Sequence, residues 1–367
     1  MPLQFGEPAP WFTAPTPSNP TFHFDTAAGR YIVLCFLGSA SDPLSREVWR
    51  LLTEERRGLF DDRNAALFGV SIDPADRDQQ RLQEFLPGVH VFWDFDHQIS
   101  RRYRALAPAG AAGGEPRPLR HTLLLDQRLR TLVAVAFGSD PRTHVEQVAG
   151  LLKALPPVAS QRGHAPILSV PRVFEPEFCR ELIEYYNRQG GKDSGFMQDR
   201  GGKTVGVIDY SFKRRYDCEI LDQDLRRECM VRVHDRLVPE IRKAFNFNAT
   251  RMERYIVCCY DASVGGYFRA HRDNTTRATE HRRFAVTLNL NAEEFEGGGL
   301  RFPEFGPEVY RAPTGGAIVF SCSLLHEAMP VTKGKRYVFL PFLYDDAAAE
   351  IRQRNQAFLA GVTERRT

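Results

Sequence analysis

The segments GYFRAHRD (266–273) and GAIVFSCSLLHEAMPVTKGKRYVF (316–339) decide the fold of the C-terminal part of this sequence. In the first segment, His271 and Asp273 follow a strand-like run, in which residues two apart lie on the same face. In the second segment, His326 follows the buried strand-like run GAIVF. Two imidazoles and one carboxylate make the facial triad that suits Fe(II) and leaves coordination positions open. The pattern therefore predicts a non-haem iron site at His271, Asp273 and His326.

An H-x-D tripeptide has little weight alone, because a chain with ten histidines contains one by chance about as often as not. A second example, His23 to Asp25, is followed by no matching distal histidine and arginine, and we interpret its residues as a surface turn. The segment 271–336 differs because four further features follow its H-x-D. These are a Gly-rich turn, a P-x-x-G before a buried strand, the distal His326 after that strand, and Arg336 ten residues later. This combination makes the iron interpretation specific.

The surrounding pattern predicts a β-rich domain preceded by helices. From residue 252 onward, short β-rich segments alternate with Gly, Asn and Asp, which is typical of a β-sandwich or jelly roll. Upstream, 175–191 reads as an amphipathic helix that ends at glycine, and 224–245 reads as a helical stretch broken near Pro239. We therefore expect a jelly roll with supporting helices.

Residues 250–344 resemble the double-stranded β-helix core of the prolyl 4-hydroxylase-like 2-oxoglutarate/Fe(II) oxygenases. The matching stretches are YDASVGGYFRAHRD, FAVTLNLN, EGGGLRFPEFG and APTGGAIVFSCSLLHEAMPVTKGKRYVF. The resemblance implies that the predicted triad binds iron, that Arg336 binds the distal carboxylate of 2-oxoglutarate, and that Tyr260 hydrogen-bonds this co-substrate. A planar guanidinium pairs well with a carboxylate. Many relatives have a tyrosine where this chain has Thr287 or Asn289, so no role is assigned there.

The reaction implied by this resemblance needs Fe(II), 2-oxoglutarate and O2, and releases succinate and CO2. Halogenating relatives have a small residue at the position of Asp273, so the carboxylate favours hydroxylation of an unactivated C–H bond. The expected substrate is an amino acid, a peptide or a natural product. The alternative hypothesis is a redox-relay or binding module in which the β-helix is inactive. The complete triad and Arg336 disfavour that alternative.

Residues 1–155 show a different rhythm, in which apolar strands alternate with helical segments. Continuous apolar runs at 31–38 and 65–73 read as strands buried on both faces, and 120–126 with 131–138 resembles a strand pair. Residues 76–86 read as a helix, and the Gly/Pro/Ala-rich stretch 107–118 reads as a long surface loop. This alternation predicts a mostly parallel α/β layer structure.

This N-terminal region resembles the peroxiredoxin branch of the thioredoxin fold, through GEPAPWF, YIVLCFLGSASDPLSREV, FGVSIDP, VFWDFDHQISRRY and RHTLLLD. Relatives have T-x-x-C in the active-site loop, whereas this chain has Asp42 and Ser45 at those positions. A serine cannot supply the reactive thiolate, so we predict a non-catalytic domain. Cys35 lies in a buried strand and is interpreted as a packing residue. Arg120 could occupy the position of the family's active-site arginine, beside an empty pocket.

Length and composition place these two patterns in separate domains of a globular protein. We expect a thioredoxin-like domain at 1–155, a Pro-rich linker at 156–167 and the oxygenase domain at 168–367. The net charge of +3 and the absence of a long apolar run argue against nucleic-acid and membrane partners, and no secretory signal is visible, so a cytoplasmic location is expected. The scattered, odd number of cysteines argues against disulfides. We also expect a homodimer through the N-terminal domain, with Leu44 and Trp49 at the contact.

Overall fold

The computed structural model describes residues 1–107 and 117–365, with side chains to residue 360. The chain divides into two compact units, Met1–His164 with Pro303–Pro307, and Ala165–Phe302 with Glu308–Thr367. The expected linker contains a single helical turn, Val158–Ser160. Most of the expected loop at 107–118 lies outside the described residues.

The first unit is built around one twisted sheet with helices beside it. Its strands lie in the order Val89–Trp93, Ala65–Ser71, Tyr31–Gly38, His121–Leu125 and Thr131–Ala136. The first three strands are parallel, and the last two join antiparallel, so the sheet is mixed rather than mostly parallel. The last two strands are antiparallel because a short turn joins them, whereas parallel neighbours need a longer crossover. The helices are Pro43–Arg50, continued by the π-helical turns Leu51–Glu55, then Pro74–Asp78, Gln98–Arg102 and Pro141–Ala154.

The helix expected over 76–86 is wrong, because the helix ends at Asp78. Gln80 has a φ of 52°, in the left-handed region that terminates helices. The following Arg81 turns back, and its guanidinium lies 3.4 Å from carboxylate oxygens of both Asp73 and Asp76. The left-handed conformation of Gln80 and these ion pairs within the segment therefore override its helical preference.

The second unit contains two antiparallel sheets with interior faces that pack together. The larger sheet has the strand order Arg251–Glu253, Phe342–Tyr344, Phe284–Asn289, Lys335–Phe339, Ile256–Asp261, Tyr216–Glu219 and Lys192–Asp193. Ala317–Ser321 also pairs with Phe284–Asn289, and Leu168–Val170 pairs with Ala317–Ser321. The smaller sheet has the order Lys213–Arg214, Tyr267–His271, His326–Ala328, Leu300–Arg301 and Val309–Tyr310. This arrangement confirms the predicted jelly roll.

Further elements complete the unit. A separate sheet joins Phe196–Arg200, Lys203–Ile208 and Leu359–Arg365, and a two-stranded ribbon joins Glu296–Gly297 to Val331–Lys333. The helices are Pro176–Gln189, Gln223–Arg236, Val238–Phe245 and Asp346–Asn355. Pro239 lies in the first turn of its helix, where proline is tolerated, so the break expected there is confirmed. Among the described residues, we find no helix with the length and apolarity needed to cross a membrane.

The larger sheet is buried on both of its faces, and the strand Ile256–Asp261 shows this directly. Val257 and Cys259 pack on one face with apolar side chains of the helices Pro176–Gln189, Gln223–Arg236 and Val238–Phe245. Cys258 and Tyr260 point to the other face, where they pack with Phe268 of the smaller sheet. The adjacent cysteines therefore lie on opposite faces, as strand geometry requires. All seven cysteines of the chain are buried and free.

Candidate active site

A β-bulge places His271 inside the jelly roll. Phe268 is paired with Ala328, and His271 is paired with His326, so the register shifts by one residue between these pairs. In a regular strand, residues three apart face opposite sides, but the bulge turns both Phe268 and His271 inward. Their rings stack with centroids 3.5 Å apart. The strand ends at His271, so Asp273 lies in the turn that follows rather than on the strand.

The three predicted ligands converge on one point. The nearest carboxylate oxygens of Asp273 lie 3.6 Å from Nε2 of His271 and 3.4 Å from Nε2 of His326. One ligand atom from each residue can be chosen so that all three lie within 4.8 Å of one another. A set of two nitrogens and one oxygen at these separations suits a divalent transition metal.

Backbone carbonyls orient both imidazoles. Nδ1 of His271 donates to the carbonyl oxygen of Arg269 at 2.7 Å, and Nδ1 of His326 donates to that of Leu324 at 3.0 Å. A carbonyl can only accept, so each ring carries its proton on Nδ1 and leaves Nε2 available as a ligand. The protein therefore selects the tautomer that a metal needs.

Electrostatics favour the charge states of a metal site. Burial lowers the pKa of His326 to about 4, which keeps this imidazole neutral near pH 7. Burial acts to raise the pKa of Asp273, but His326 and His271 outweigh it and the pKa lies far below its usual range. Neutral imidazoles and an ionised carboxylate are the forms that bind metal.

Backbone contacts and one arginine hold the turn that carries Asp273. The amide of Asp273 donates to the carbonyl of Cys322 at 2.9 Å, which ties the turn to the segment before His326. Nη1 of Arg282 donates to the carbonyl oxygen of Asp273 at 3.3 Å, and Nε of Arg282 donates to Glu253 at 2.8 Å. Arg282 was not identified from the sequence, because its contact depends on how distant loops meet.

Arg336 and Tyr260 lie side by side on neighbouring strands of the larger sheet, in register. Arg336 is 3% exposed, and its guanidinium carbon lies 5.2 Å from the centre of the Tyr260 ring. Nε of Arg336 donates to Asn289 at 3.3 Å. Burial lowers the pKa of Arg336 to about 10, so the side chain stays cationic at neutral pH.

The environment of Arg336 fits an anionic ligand. In the two described ranges, 1–107 and 117–365, no carboxylate forms an ion pair with this buried cation. A buried charge without a partner is costly, so a ligand carboxylate would offset a real penalty. Together with the N, N, O donor set, this fits Fe(II) and 2-oxoglutarate. Thr287 and Asn289 are both buried, and Asn289 contacts Arg336, a role that the sequence did not suggest.

The loop of the first unit that carries Asp42 and Ser45 differs from the surroundings of Arg336, because the protein itself provides partners for its polar side chains. Ser45 is fully buried, and its hydroxyl donates to the carbonyl of Leu37 at 2.7 Å. Asp42 caps the helix through the amide of Ser45 and forms an ion pair with Arg120. The expectation that Arg120 is an unpaired positive charge is therefore wrong, because Asp42 forms an ion pair with it.

Three other side chains of the first unit can be compared with expectation. Burial raises the pKa of Cys35 to about 12, in agreement with a packing role. Trp49 is 5% exposed and belongs to the core of its own unit, so it is unavailable for the subunit contact expected from the sequence. In the second H-x-D, Asp25 is 4% exposed, so the surface interpretation is wrong for this residue.

The family models match both parts of the chain. Residues 255–344 match the 2OG-Fe(II) oxygenase superfamily. The second unit carries a 2OG-Fe(II) oxygenase domain. Residues 5–132 match the AhpC/TSA family, so the first unit is an AhpC/TSA domain with a thioredoxin-like fold. Both predicted resemblances are thus confirmed. The oxygenase superfamily implies Fe(II), 2-oxoglutarate and O2, as the sequence predicted.

Curated relatives match the oxygenase part. A procollagen lysyl hydroxylase and glycosyltransferase of Acanthamoeba polyphaga mimivirus is 26% identical over 178 residues, which are 47% of this chain and 18% of that protein. A PKHD-type hydroxylase of a Synechococcus strain is 32% identical over 88 residues, which are 22% of this chain and 38% of that protein. The chain therefore spans well under half the length of these relatives.

Two solved structures are also similar. A prolyl hydroxylase from Trichoplax adhaerens is 17% identical, with a TM-score of 0.38, and the match covers 52% of this chain and 86% of that one. A peroxidoxin, BcpB from Mycobacterium tuberculosis, is 18% identical, with a TM-score of 0.34, and the match covers 42% of this chain and 99% of that one.

Proposed function

We propose that this chain is an Fe(II)- and 2-oxoglutarate-dependent hydroxylase that oxidises an unactivated C–H bond. The observation that carries the proposal is the convergence of His271, Asp273 and His326, together with a buried Arg336 on the facing sheet that has no carboxylate partner among the described residues. The metal site and the anion site lie on facing sheets of one jelly roll. A metal chelated by an anionic co-substrate requires both.

The residues of this chain have separate tasks in the reaction. Nε2 of both histidines and the carboxylate of Asp273 would hold the metal. Arg336 and Tyr260 would bind the distal carboxylate of 2-oxoglutarate. Phe268, Phe320 and Phe302 surround the imidazoles, with ring centroids 3.5, 4.5 and 6.2 Å from the nearest ligand ring, and reduce access of water. The bound metal and co-substrate supply the oxidation, in which O2 converts C–H to C–OH and 2-oxoglutarate to succinate and CO2.

The proposed substrate is an amino acid side chain, free or within a peptide. Support comes from the names of the relatives, which include lysyl, PKHD-type and prolyl hydroxylases. A cytoplasmic location, the lack of nucleic-acid partners and a homodimer through the first unit remain proposals from the sequence. If the dimer forms, its contact must use side chains other than Trp49.

Succinate release from 2-oxoglutarate under air tests the proposal. The purified full chain with Fe(II) should form succinate, and formation should stop without the metal or in Asp273→Ala. Mass spectrometry of a peptide and metabolite pool incubated with 18O2 should then show a product heavier by one labelled oxygen. No succinate above the Asp273→Ala background, with the metal bound, would refute the oxygenase function and favour a binding module.

A further inference from the structure

Buried and partly buried side chains near Tyr260 form a polar cluster that the proposed reaction does not yet use. The cluster consists of Ser194, Lys213, Arg215, Asp217 and Arg254. Arg215 is 5% exposed and Lys213 is 4% exposed, and both lie inside the jelly roll. The strand of Asp217 pairs with the strand of Tyr260. The cluster therefore adjoins the site assigned to the co-substrate carboxylate.

Arg215 is held rigidly by a bidentate ion pair. Its Nε donates to one carboxylate oxygen of Asp217 at 2.7 Å, and its Nη2 donates to the other at 2.8 Å. Nη2 also donates to the hydroxyl of Ser194 at 3.0 Å, which itself donates to Asp217 at 2.5 Å. A planar fork fixed in this way cannot rotate without breaking these bonds. Only Nη1 is left to point elsewhere.

Nη1 of Arg215 points to the hydroxyl oxygen of Tyr260, at 3.4 Å. The guanidinium carbons of Arg215 and Arg336 lie 5.8 and 5.2 Å from the centre of the same Tyr260 ring. A phenol hydroxyl that accepts from an arginine has its own hydrogen left to donate. Among the described residues, no acceptor contacts the Tyr260 hydroxyl hydrogen. Likewise, no described carboxylate contacts the guanidinium of Arg336.

The charge of the cluster also favours an anion. Asp217 contacts both Arg215 and Arg254, the latter at 3.4 Å. Lys213 donates to Ser194 and to the carbonyl of Gly195, and its ammonium lies 4.6 Å from the centre of the Phe268 ring. One carboxylate thus faces two guanidinium groups, and Arg336 lies on the far side of the strand that carries Tyr260. Buried positive charge in excess lowers the free energy of a bound carboxylate.

We propose that Arg215, held by Asp217, is a positioning residue that directs the Tyr260 hydroxyl proton toward the carboxylate bound by Arg336. The inference rests on the proposed function, because the ligand is the 2-oxoglutarate distal carboxylate. Arg215 acts through Tyr260, so replacing either residue should remove the same hydrogen bond from the Tyr260 hydroxyl to the ligand carboxylate.

A double-mutant cycle on the full chain tests this coupling. The dissociation constant of 2-oxoglutarate is measured by calorimetry on the Mn(II)-loaded protein without O2, for wild type, Arg215→Gln, Tyr260→Phe and the double variant. Loss of one hydrogen bond should weaken binding about 3- to 10-fold in each single variant. The double variant should bind no more weakly than Tyr260→Phe. Arg214→Gln is the matched control, because Arg214 stacks on Tyr210 and should leave binding unchanged.

The outcomes separate this inference from the proposed function. If the wild type does not bind 2-oxoglutarate, the proposed function fails. A second outcome is that the wild type binds 2-oxoglutarate and Arg336→Ala does not, which supports the proposed function. If the losses in affinity from Arg215→Gln and Tyr260→Phe then multiply in the double variant, only the positioning role is overturned. If Arg215→Gln does not fold, Arg215→Lys replaces it, since lysine keeps the charge beside Asp217 but cannot also reach Tyr260. Unchanged binding in that variant would equally overturn the inference.

Discussion

The polar side chains of the His271, Asp273 and His326 triad in the second unit and those of the Ser45 loop in the first unit differ in whether the protein itself provides their partners. At the triad, backbone carbonyls bind Nδ1 of both histidines, and both Nε2 atoms point to a shared centre. At the loop, the hydroxyl of Ser45, the carboxylate of Asp42 and the guanidinium of Arg120 all bind one another or the backbone. Polar groups left without a protein partner mark a binding site, whereas satisfied ones mark structure.

The largest effect should come from removing a triad residue. Asp273→Ala, His271→Ala or His326→Ala should abolish metal binding and succinate formation, because two remaining ligands cannot hold the metal. Metal content and succinate release are the measurements. His23→Ala, from the other H-x-D, is the control and should keep full activity. Full activity in any triad variant would show that the replaced residue is not a metal ligand.

The next largest effect should come from Arg336→Ala. Loss of a charge-assisted contact to a carboxylate should cost roughly 2–4 kcal/mol, which weakens 2-oxoglutarate binding about 30- to 1000-fold. Titration of 2-oxoglutarate against succinate formation measures this. Arg336→Lys, which keeps the charge without the fork, should give an intermediate loss. An unchanged requirement in Arg336→Ala would exclude this residue from the site.

A smaller effect is expected for Arg282, which holds the backbone of Asp273. Groups that orient metal ligands typically affect metal affinity about 10- to 100-fold. Arg282→Ala should therefore weaken binding of Fe(II), measured by anaerobic titration, toward the lower end of that range. Arg283→Ala is the control, because its side chain contacts the carbonyl of Glu280 instead. Equal losses in both variants would assign Arg282 to general stability.

In the first unit, charged groups should affect stability rather than binding. Nε2 of His90 lies 3.0 Å from Asp62, and Nδ1 lies 3.7 Å from Glu84. Burial acts to lower the pKa of His90, but these carboxylates outweigh it and raise the pKa above its usual value. The stabilisation is therefore complete below about pH 6.5 and is lost as pH rises through the raised value.

Replacing His90 tests that pH dependence. Between pH 6 and 9, urea denaturation should show a loss on the order of 1 kcal/mol in the wild type, and His90→Asn should show less. Asp62 and Glu84 have lowered pKa values, so acid should reduce stability only well below pH 6. Parallel pH profiles in the two proteins would contradict the assignment.

The smallest effect is expected at Ser45. Consumption of hydrogen peroxide with dithiothreitol should stay at background in wild type and in Cys35→Ser, because the thiol of Cys35 is buried with a raised pKa. Ser45→Cys alone should also stay at background, since Asp42 neutralises Arg120. Rapid turnover that disappears in Cys35→Ser would reverse the comparison and support the redox-relay alternative.

Much of the candidate site could be predicted from the sequence because its ligands lie in short motifs. His271 and Asp273 are two residues apart, and Arg336 follows His326 by ten residues, so their spacing along the chain was enough to single them out, although Asp273 lies in a turn and not on the strand. The jelly roll and its supporting helices were predicted from the same periodicity. The helix at 76–86 was wrong, because ion pairs from Arg81 to Asp73 and Asp76 terminate it.

The sequence by itself predicted the metal ligands and, through its resemblance to the oxygenases, the co-substrate residues, and it showed that serine stands at position 45. Only the tertiary structure showed the bulge that turns Phe268 and His271 to the same side, and the bidentate Asp217 that directs Arg215 toward Tyr260. It also showed Trp49 inside its own core. The physical reason is the distance along the chain over which each property is set. Side-chain identity and strand period are local properties. Partner choice and burial depend on segments far apart in the chain that meet only after folding.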